Sequence, residues 1–310
     1  MLHCSQQIIL WSLIFIIVTI VIFYIMIYYE LNNLPNTIID TLSARFDKPC
    51  QLEFPLGYRE TVYVPKKNGV YEKKLATALL DVSFMTSTGN CAAILPIQSP
   101  PNFPNQVRLE GLVPVSNDWS FLGYIFYDQD SKQAIFAFTG TEKKSLWMAD
   151  ARYHQVPCSS LNNYTEGMLM HEGFYGVYLA VRDQLWRWWN SNPWVEDLFI
   201  TGHSLGGALS SICAFDFANA SHSNLIHYSF ASPRVANVCF ANAFAKQVPQ
   251  SLRVENTEDL LVMIVLSQLF SYTYEHLGQN VPFTVSGGSL SYNHIDSYYY
   301  NLPSEPECAQ

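Results

Sequence analysis

The chain has 310 residues, 49% of them hydrophobic and 15% aromatic, which suits one large domain with extensions and excludes an intrinsically disordered chain. Its formal net charge is -9, and no Lys/Arg run or basic stripe is present, so a nucleic acid is not an expected partner. The first element is the run Ile8–Tyr29, 22 residues without a charge. As a helix it would be about 33 Å long, enough to cross a bilayer core. Trp11 and the Tyr28–Tyr29 pair stand near its ends, where aromatic side chains favour the membrane interface. It lacks the basic leader and small-residue cleavage site of a signal peptide, so a single uncleaved transmembrane helix is expected. Residues 1–7 would be a short tail, and residues 30–67, with Pro35, Pro49, Pro55 and Pro65, a stalk and lead-in.

The remaining residues, 68–310, read as one domain. A helix is expected over Tyr71–Met85, where Leu75, Ala78, Leu79 and Val82 share one face. Cys91–Pro114, with five prolines, is expected to be a long loop. Leu122–Tyr127 and Gln133–Phe138 are strand-like runs joined by a polar turn, the signal of a hairpin. A helix near Gly173–Trp189 and a short buried strand at Leu198–Thr201 follow, then the glycine-rich turn Gly202–Gly207 and a helix over Ala208–Phe215. Strands that alternate with helices predict an α/β fold with a mainly parallel sheet covered on both faces.

The turn carries the chemistry. Gly202-His-Ser204-Leu-Gly206 has the spacing of a nucleophile elbow, in which a serine sits on a strained turn between strand and helix. A side chain two positions to either side would collide with neighbouring backbone. The following helix points its N-terminus at the place where negative charge develops. A strand before and a helix after Ser204 supply the context that the bare pattern lacks.

Thr201–Ala208 resembles the elbow of the class 3 lipases, the fungal triacylglycerol lipase type. The likeness runs from about Tyr71 to Tyr300. Phe230–Asn237 is similar to the family's strand and turn after the elbow helix, which usually has Gly where Ala231 stands. Ala137–Thr141 resembles its oxyanion strand, which commonly has Arg where Thr139 stands. His171–Phe174 and Tyr274–Gly278 match further turns. The resemblance implies an α/β-hydrolase fold and a triad in the chain order Ser, Asp, His.

Within Asn256–Asp259 the likeness favours Asp259 as the acid, with Asp216 and Asp296 as alternatives; Asp216 reads as a solvated helix carboxylate. Leu260–Ile264 replaces the family's usual Val-Pro-type continuation. His294, in a His-x-x-x-Tyr ending, is favoured over His276 as the base, while His171 reads as structural and the His203 side chain should point away from the Ser204 hydroxyl. The oxyanion donors are expected at the backbone of Leu205 and at Thr141. The segment after Thr141 holds the place of the family's lid, with Leu146, Trp147 and Met148 as its apolar face and Lys143 and Lys144 able to meet an anionic surface.

The expected function is therefore hydrolysis of lipid carboxylic esters by a membrane-anchored serine lipase, with no cofactor, no metal and no obligate protein partner. A non-catalytic hydrolase-like binding module and a carboxylesterase of non-lipid esters are the alternatives. Asn163-Tyr-Thr165 and Asn219-Ala-Ser221 are glycosylation acceptors, and six cysteines follow the apolar run. Both observations favour a luminal or extracellular head and a glycoprotein. A Cys50–Cys308 disulfide would tie the ends of the head together.

Overall fold

A computed structural model of the chain describes residues 57–305, apart from 68, 88–98, 115–116, 141–153, 220–223 and 270. The apolar run 8–29, residues 30–56 of the expected stalk and lead-in, Cys50 among them, and Cys308 lie outside the described residues. Among the described residues no helix is long and apolar enough to cross a membrane.

Seven strands form one sheet: β1 (Asn105–Val113), β2 (Asp118–Asp128), β3 (Gln133–Phe138), β4 (Asp197–His203), β5 (Asn224–Phe230), β6 (Ser251–Asn256) and β7 (Gln279–Phe283). Their spatial order follows the chain. β1 pairs antiparallel with β2 and β2 with β3, while every pairing from β3 to β7 is parallel. The central strands read as they should for burial on both faces: in β4 every residue after Asp197 is buried. Side chains alternate between two cores. Phe136, Phe138, Leu198 and Ile200 join one, and Ile135, Ala137 and Phe199 join the other.

The helices are α1 (Lys73–Ser87), α2 (Glu172–Ser191), α3 (Leu205–Phe217), α4 (Val238–Gln247) and α5 (Ser297–Tyr300). Parallel strands that advance in one direction, joined by right-handed crossovers, place their connecting helices on one face. Accordingly α2, α3 and α4 share a core through Tyr178, Leu209 and Phe240. α1 and α5 fill the opposite face with Leu79 and Tyr298. Residues read from sequence as lead-in also pack on this second face. Arg59 Nε donates to Asp81 of α1 at 2.8 Å, and its guanidinium lies 3.8 Å from the centre of the Tyr299 ring.

One expectation fails. The stretch Cys91–Pro114 is not all loop, because β1 occupies Asn105–Val113. No proline falls within Asn105–Val113, since four of the five precede the strand and Pro114 follows it, and Leu109 and Val113 turn inward while Arg108 and Glu110 face outward. The strand's alternation is weak in sequence because its register shifts between Leu109 and Glu110 and because Gly111 lies against the Ala180 carbonyl of α2, where a Cβ would not fit. Pairing with β2, a tertiary contact, organises it.

Candidate active site

The site is built on the turn between β4 and α3. Ser204 has φ 59° and ψ -123°, a conformation that costs on the order of 1–3 kcal/mol and persists only where the surroundings enforce it. Enforcement is visible on both sides. The Ser204 N–H donates to the Phe230 carbonyl at 2.9 Å, and the Ser204 carbonyl accepts from Gly207 N at 2.9 Å and Ala208 N at 3.3 Å. A Cβ on Gly202 would overlap the Gly206 carbonyl, and one on Gly206 would overlap the Phe138 carbonyl. The two glycines therefore let three chain segments approach one another beneath Ser204.

The structure brings Ser204, His294 and Asp259 together. Ser204 Oγ lies 2.8 Å from His294 Nε2, and His294 Nδ1 lies 2.7 Å from Asp259 Oδ2. With the carboxylate as acceptor, Nδ1 carries the proton, so Nε2 turns its lone pair to the serine hydroxyl. Asp259 is 1% exposed and His294 5%, whereas Ser204 is half-buried. The Ser204 hydroxyl thus faces outward while the imidazole and carboxylate aligned with it are shielded from water.

Asp259 is fixed by more than the imidazole. Its Oδ1 accepts from Leu261 N at 3.0 Å, capping a 3-10 turn at Leu260–Met263. Its Oδ2 also accepts from the Tyr298 hydroxyl at 3.0 Å, and that hydroxyl in turn accepts from Asn256 N at 3.0 Å. Burial, and then the neighbouring Asp259, hold the Tyr298 hydroxyl far above its ordinary pKa, so it remains a donor.

His294 sits in a π-type turn, Tyr292–Asp296, one residue wider than an α-turn and a form found at functional sites. Three side chains pin it. Asn256 Nδ2 donates to the Asn293 carbonyl at 3.2 Å, Asn293 Nδ2 donates to the Glu258 carbonyl at 2.9 Å, and His203 Nε2–H donates to the His294 carbonyl at 2.7 Å. The His203 ring is 4.9 Å from the His294 ring and 5.0 Å from Phe84. As expected from sequence, it makes no bond to Ser204; its contact with the backbone of the base is what sequence reasoning missed. Burial first, and then nearby His294, push the His203 imidazole well below its ordinary pKa, so it stays neutral with the proton on Nε2.

Leu205 is the first residue of α3, so its N–H has no intrahelical acceptor. Phe138, the last residue of β3, pairs with Gly202, and the chain beyond it therefore starts beside the elbow. Thr141, Leu146, Trp147 and Met148 lie outside the described residues.

The alternatives for acid and base go elsewhere. Asp216 is not the solvated carboxylate that its position suggested. It is completely buried and accepts from Tyr178 Oη at 2.8 Å, Arg182 Nε at 2.8 Å, Trp186 Nε1 at 2.9 Å and Asn162 N at 2.9 Å. Partners from α2 and from the loop before it converge on Asp216, an arrangement that single-sequence periodicity does not display. His276 lies apart from the triad, pushed down to about 3 by burial and by Arg253 and Arg234. His171 accepts from Phe174 N at 3.4 Å as the N-cap of α2. Among the described residues, no group of three or more His, Cys, Asp or Glu could hold a metal ion.

Residues 135–268 match the model of the lipase (class 3) family, a stretch that contains the elbow and Asp259. Over that stretch the chain is similar to the class 3 lipases. It is 30% identical over 160 residues to the secreted mono- and diacylglycerol lipase A of Penicillium cyclopium, covering 50% of this chain and 49% of that protein. It is 28% identical over 172 residues to the chloroplastic phospholipase A(1) DAD1 of Arabidopsis thaliana, covering 47% of this chain and 38% of that one. The chain spans about half the length of the curated relatives it matches. Its fold is similar to the triacylglyceride lipase of Rhizomucor miehei, with a TM-score of 0.52 and 19% identity over 69% of this chain and 82% of that one. One backbone position after β5 stands out. Ala231 adopts φ 50° and donates its N–H to the Val254 carbonyl at 3.2 Å. The left-handed conformation that glycine would take freely is retained here with a methyl group.

Proposed function

We propose that the protein is a membrane-anchored serine hydrolase that cleaves lipid carboxylic esters through an acyl-enzyme. The observation that carries this reading is the continuous chain Ser204 Oγ–His294 Nε2 at 2.8 Å and His294 Nδ1–Asp259 Oδ2 at 2.7 Å, set in a class 3 lipase core. A binding module would have no use for a strained serine aimed at a buried, oriented base.

In the proposed reaction, Ser204 Oγ attacks the ester carbonyl carbon while its proton passes to His294 Nε2. The resulting oxyanion meets the Leu205 N–H, and we assign the second donor to Thr141. His294 then gives its proton to the leaving alcohol, the C–O bond breaks, and the acyl group remains on Ser204. Water, deprotonated by the same imidazole, attacks the acyl-enzyme and releases the fatty acid. Asp259 holds the proton on Nδ1 and stabilises the imidazolium that forms in each half-reaction.

The relatives named as a mono- and diacylglycerol lipase and as a phospholipase A(1) support glycerolipid esters as the substrate class. The uncharged run 8–29 supports a single-span anchor, and the two sequons support a luminal or extracellular head. The apolar cluster Leu146, Trp147 and Met148 supports a lid over the acyl site.

Labelling of the full chain in detergent by a fluorophosphonate probe tests the reading. Wild type should label, and Ser204→Ala should not. A folded wild-type protein that fails to label would favour the non-catalytic module. Labelling without any turnover of long-chain esters would favour a carboxylesterase of non-lipid substrates.

A further inference from the structure

We infer that the two glycosylation sequons form a single site in the folded head: Asn219 carries the glycan, and Asn163 is withheld from modification because it caps the far end of the elbow helix. The inference rests on the luminal or extracellular head proposed above and goes beyond it, because the sequons by themselves predict two glycans. The two asparagines stand 56 positions apart in the chain, yet Asn219 Nδ2 donates to Asn163 Oδ1 at 2.9 Å. One amide spans no more than its C=O and C–N bonds. The two Nδ2 atoms, each the point of attachment of a sugar, are therefore at most about 5.5 Å apart.

The two amides differ in what holds them. Asn163 is half-buried, and its Nδ2 donates to the Phe215 carbonyl at 2.6 Å. Phe215 lies in the last turn of α3, where carbonyls lack an intrahelical N–H, and the Ala218 N–H reaches the same carbonyl only at 3.4 Å. The Asn163 bond is thus a helix cap. The loop around it is pinned and does not turn the side chain outward. Leu161 is buried in the core, Ser160 N donates to Tyr175 Oη at 2.9 Å, and Asn162 N donates to Asp216 Oδ1 at 2.9 Å. A sugar on Asn163 would have to replace an amide hydrogen in the plane that the Phe215 carbonyl and the Asn219 amide already crowd. A chain that received one before folding would lose the cap and the pairing of the two amides, so the folded pool should lack it.

Asn219 is exposed and stands just beyond the end of α3 at Phe217. Its Nδ2 donates to Asn163 and, at 3.3 Å, to Gln247 Oε1. In the transfer, Asn219 Nδ2 bonds to the anomeric carbon of a polyprenyl diphosphate-linked oligosaccharide. The anomeric C–O bond breaks, the diphosphate leaves, and the amide gives up one proton. The proton given up is the one shared with Gln247, so the bond to Asn163 stays in place. The 13 residues of α3 span about 20 Å. The glycan therefore projects from the pole of the helix opposite Ser204 and leaves the mouth of the site open.

The test uses the full chain made in cultured animal cells and purified in detergent. Glycans are counted by mass, before and after peptide N-glycosidase, on the monodisperse fraction. Wild type should lose one glycan, and Asn219→Gln should have none to lose. Thr165→Ala, which destroys the first sequon but keeps the Asn163 side chain, should match wild type. Asn163→Ala destroys the same sequon and the cap as well, so it should keep the glycan while its thermal midpoint falls about 2–4 °C below that of Thr165→Ala. Two glycans on folded wild type would overturn the inference, as would a glycan lost in Thr165→Ala or kept in Asn219→Gln. Equal midpoints for Asn163→Ala and Thr165→Ala would remove the cap, and the inference with it. Wild type that bears no glycan yet labels with the fluorophosphonate would reject the luminal head and this inference while leaving the hydrolase reading intact.

Discussion

At the residue scale, the site shows how one element of sequence grips another far along the chain. The elbow holds His294 twice: Ser204 meets its imidazole at 2.8 Å, and His203 meets its carbonyl at 2.7 Å. The second contact belongs to the main chain, so it fixes the turn on which the base stands. His203→Phe preserves the ring packing against Phe84 and removes the side-chain donor to the His294 carbonyl. We expect kcat on a soluble ester to fall about tenfold with KM within about twofold, since a misplaced base affects proton transfer more than binding; His203→Gln, which can still donate, should recover part of the loss. Ala231 gives the opposite kind of prediction. Its φ of 50° carries a penalty that glycine avoids, so Ala231→Gly should stabilise the protein by about 1 kcal/mol. Thermal unfolding should move upward by about 2–4 °C, and a fall would mean that the buried methyl contributes more than the backbone strain removes.

At the scale of elements, one side chain closes the first edge of the sheet. The outer edge of β1 is blunted by a single side chain of α2: Gln184 Nε2 donates to the Arg108 carbonyl at 2.8 Å, and its Oε1 accepts from Glu110 N at 3.3 Å. This occupies two groups that would otherwise template another strand. α3 is fixed at its far end by Asp216, with four donor groups around one carboxylate. Asp216→Ala would leave the Tyr178 hydroxyl, the Trp186 indole, the Arg182 guanidinium and the Asn162 N–H without this acceptor. Loss of one partner of a buried ion pair costs about 3–5 kcal/mol, to be read from the denaturant midpoint. The damage should be confined to stability, because Asp216 is about 17 Å along the helix from the Leu205 end. Turnover per folded molecule should hold, and a collapse of kcat in the folded variant would show coupling along α3.

At the scale of the whole molecule, acid should unfold this protein through its buried histidines. His227 is completely buried, accepts from the Ser251 hydroxyl at Nδ1 at 2.7 Å and donates from Nε2 to Ser210 at 3.0 Å; Ser210 in turn donates to the Gly207 carbonyl at 2.9 Å. That pattern needs the neutral ring, and burial pushes its pKa from the usual 6.5 down to about 3. The unfolded chain binds a proton below about pH 6.5, and the folded one does not until about pH 3. Stability is therefore fully present above pH 6.5 and falls as pH drops through that window, by about 1.4 kcal/mol per unit for this group alone. His203 and His276 are lowered in the same sense, which steepens the slope. Urea unfolding between pH 7 and 4.5 should show it, and His227→Gln should flatten it; a profile unchanged by that variant would rule out the His227 contribution.

By itself the sequence determined the class of fold and the identity of the elbow. Periodicity is a local property, and so is the need for glycine on either side of Ser204; the runs Leu122–Tyr127, Gln133–Phe138 and Leu198–Thr201 and the helices around them were legible for that reason. Family resemblance picked out Asp259 and His294, the two residues that the structure brings to Ser204. Tertiary structure decided the rest. β1 exists because β2 pairs with it, although its own alternation is broken at Leu109/Glu110. Asp216 is a buried hub because α2 and the loop before it deliver donors from 30 to 54 positions away, and no window of sequence contains them. His203 acquires a partner 91 residues distant, and Val262 and Val265, three residues apart, are drawn into opposite cores. Hydrophobic pattern and turn chemistry act within a few residues, whereas burial and hydrogen-bond partnership depend on which distant segments the fold places side by side.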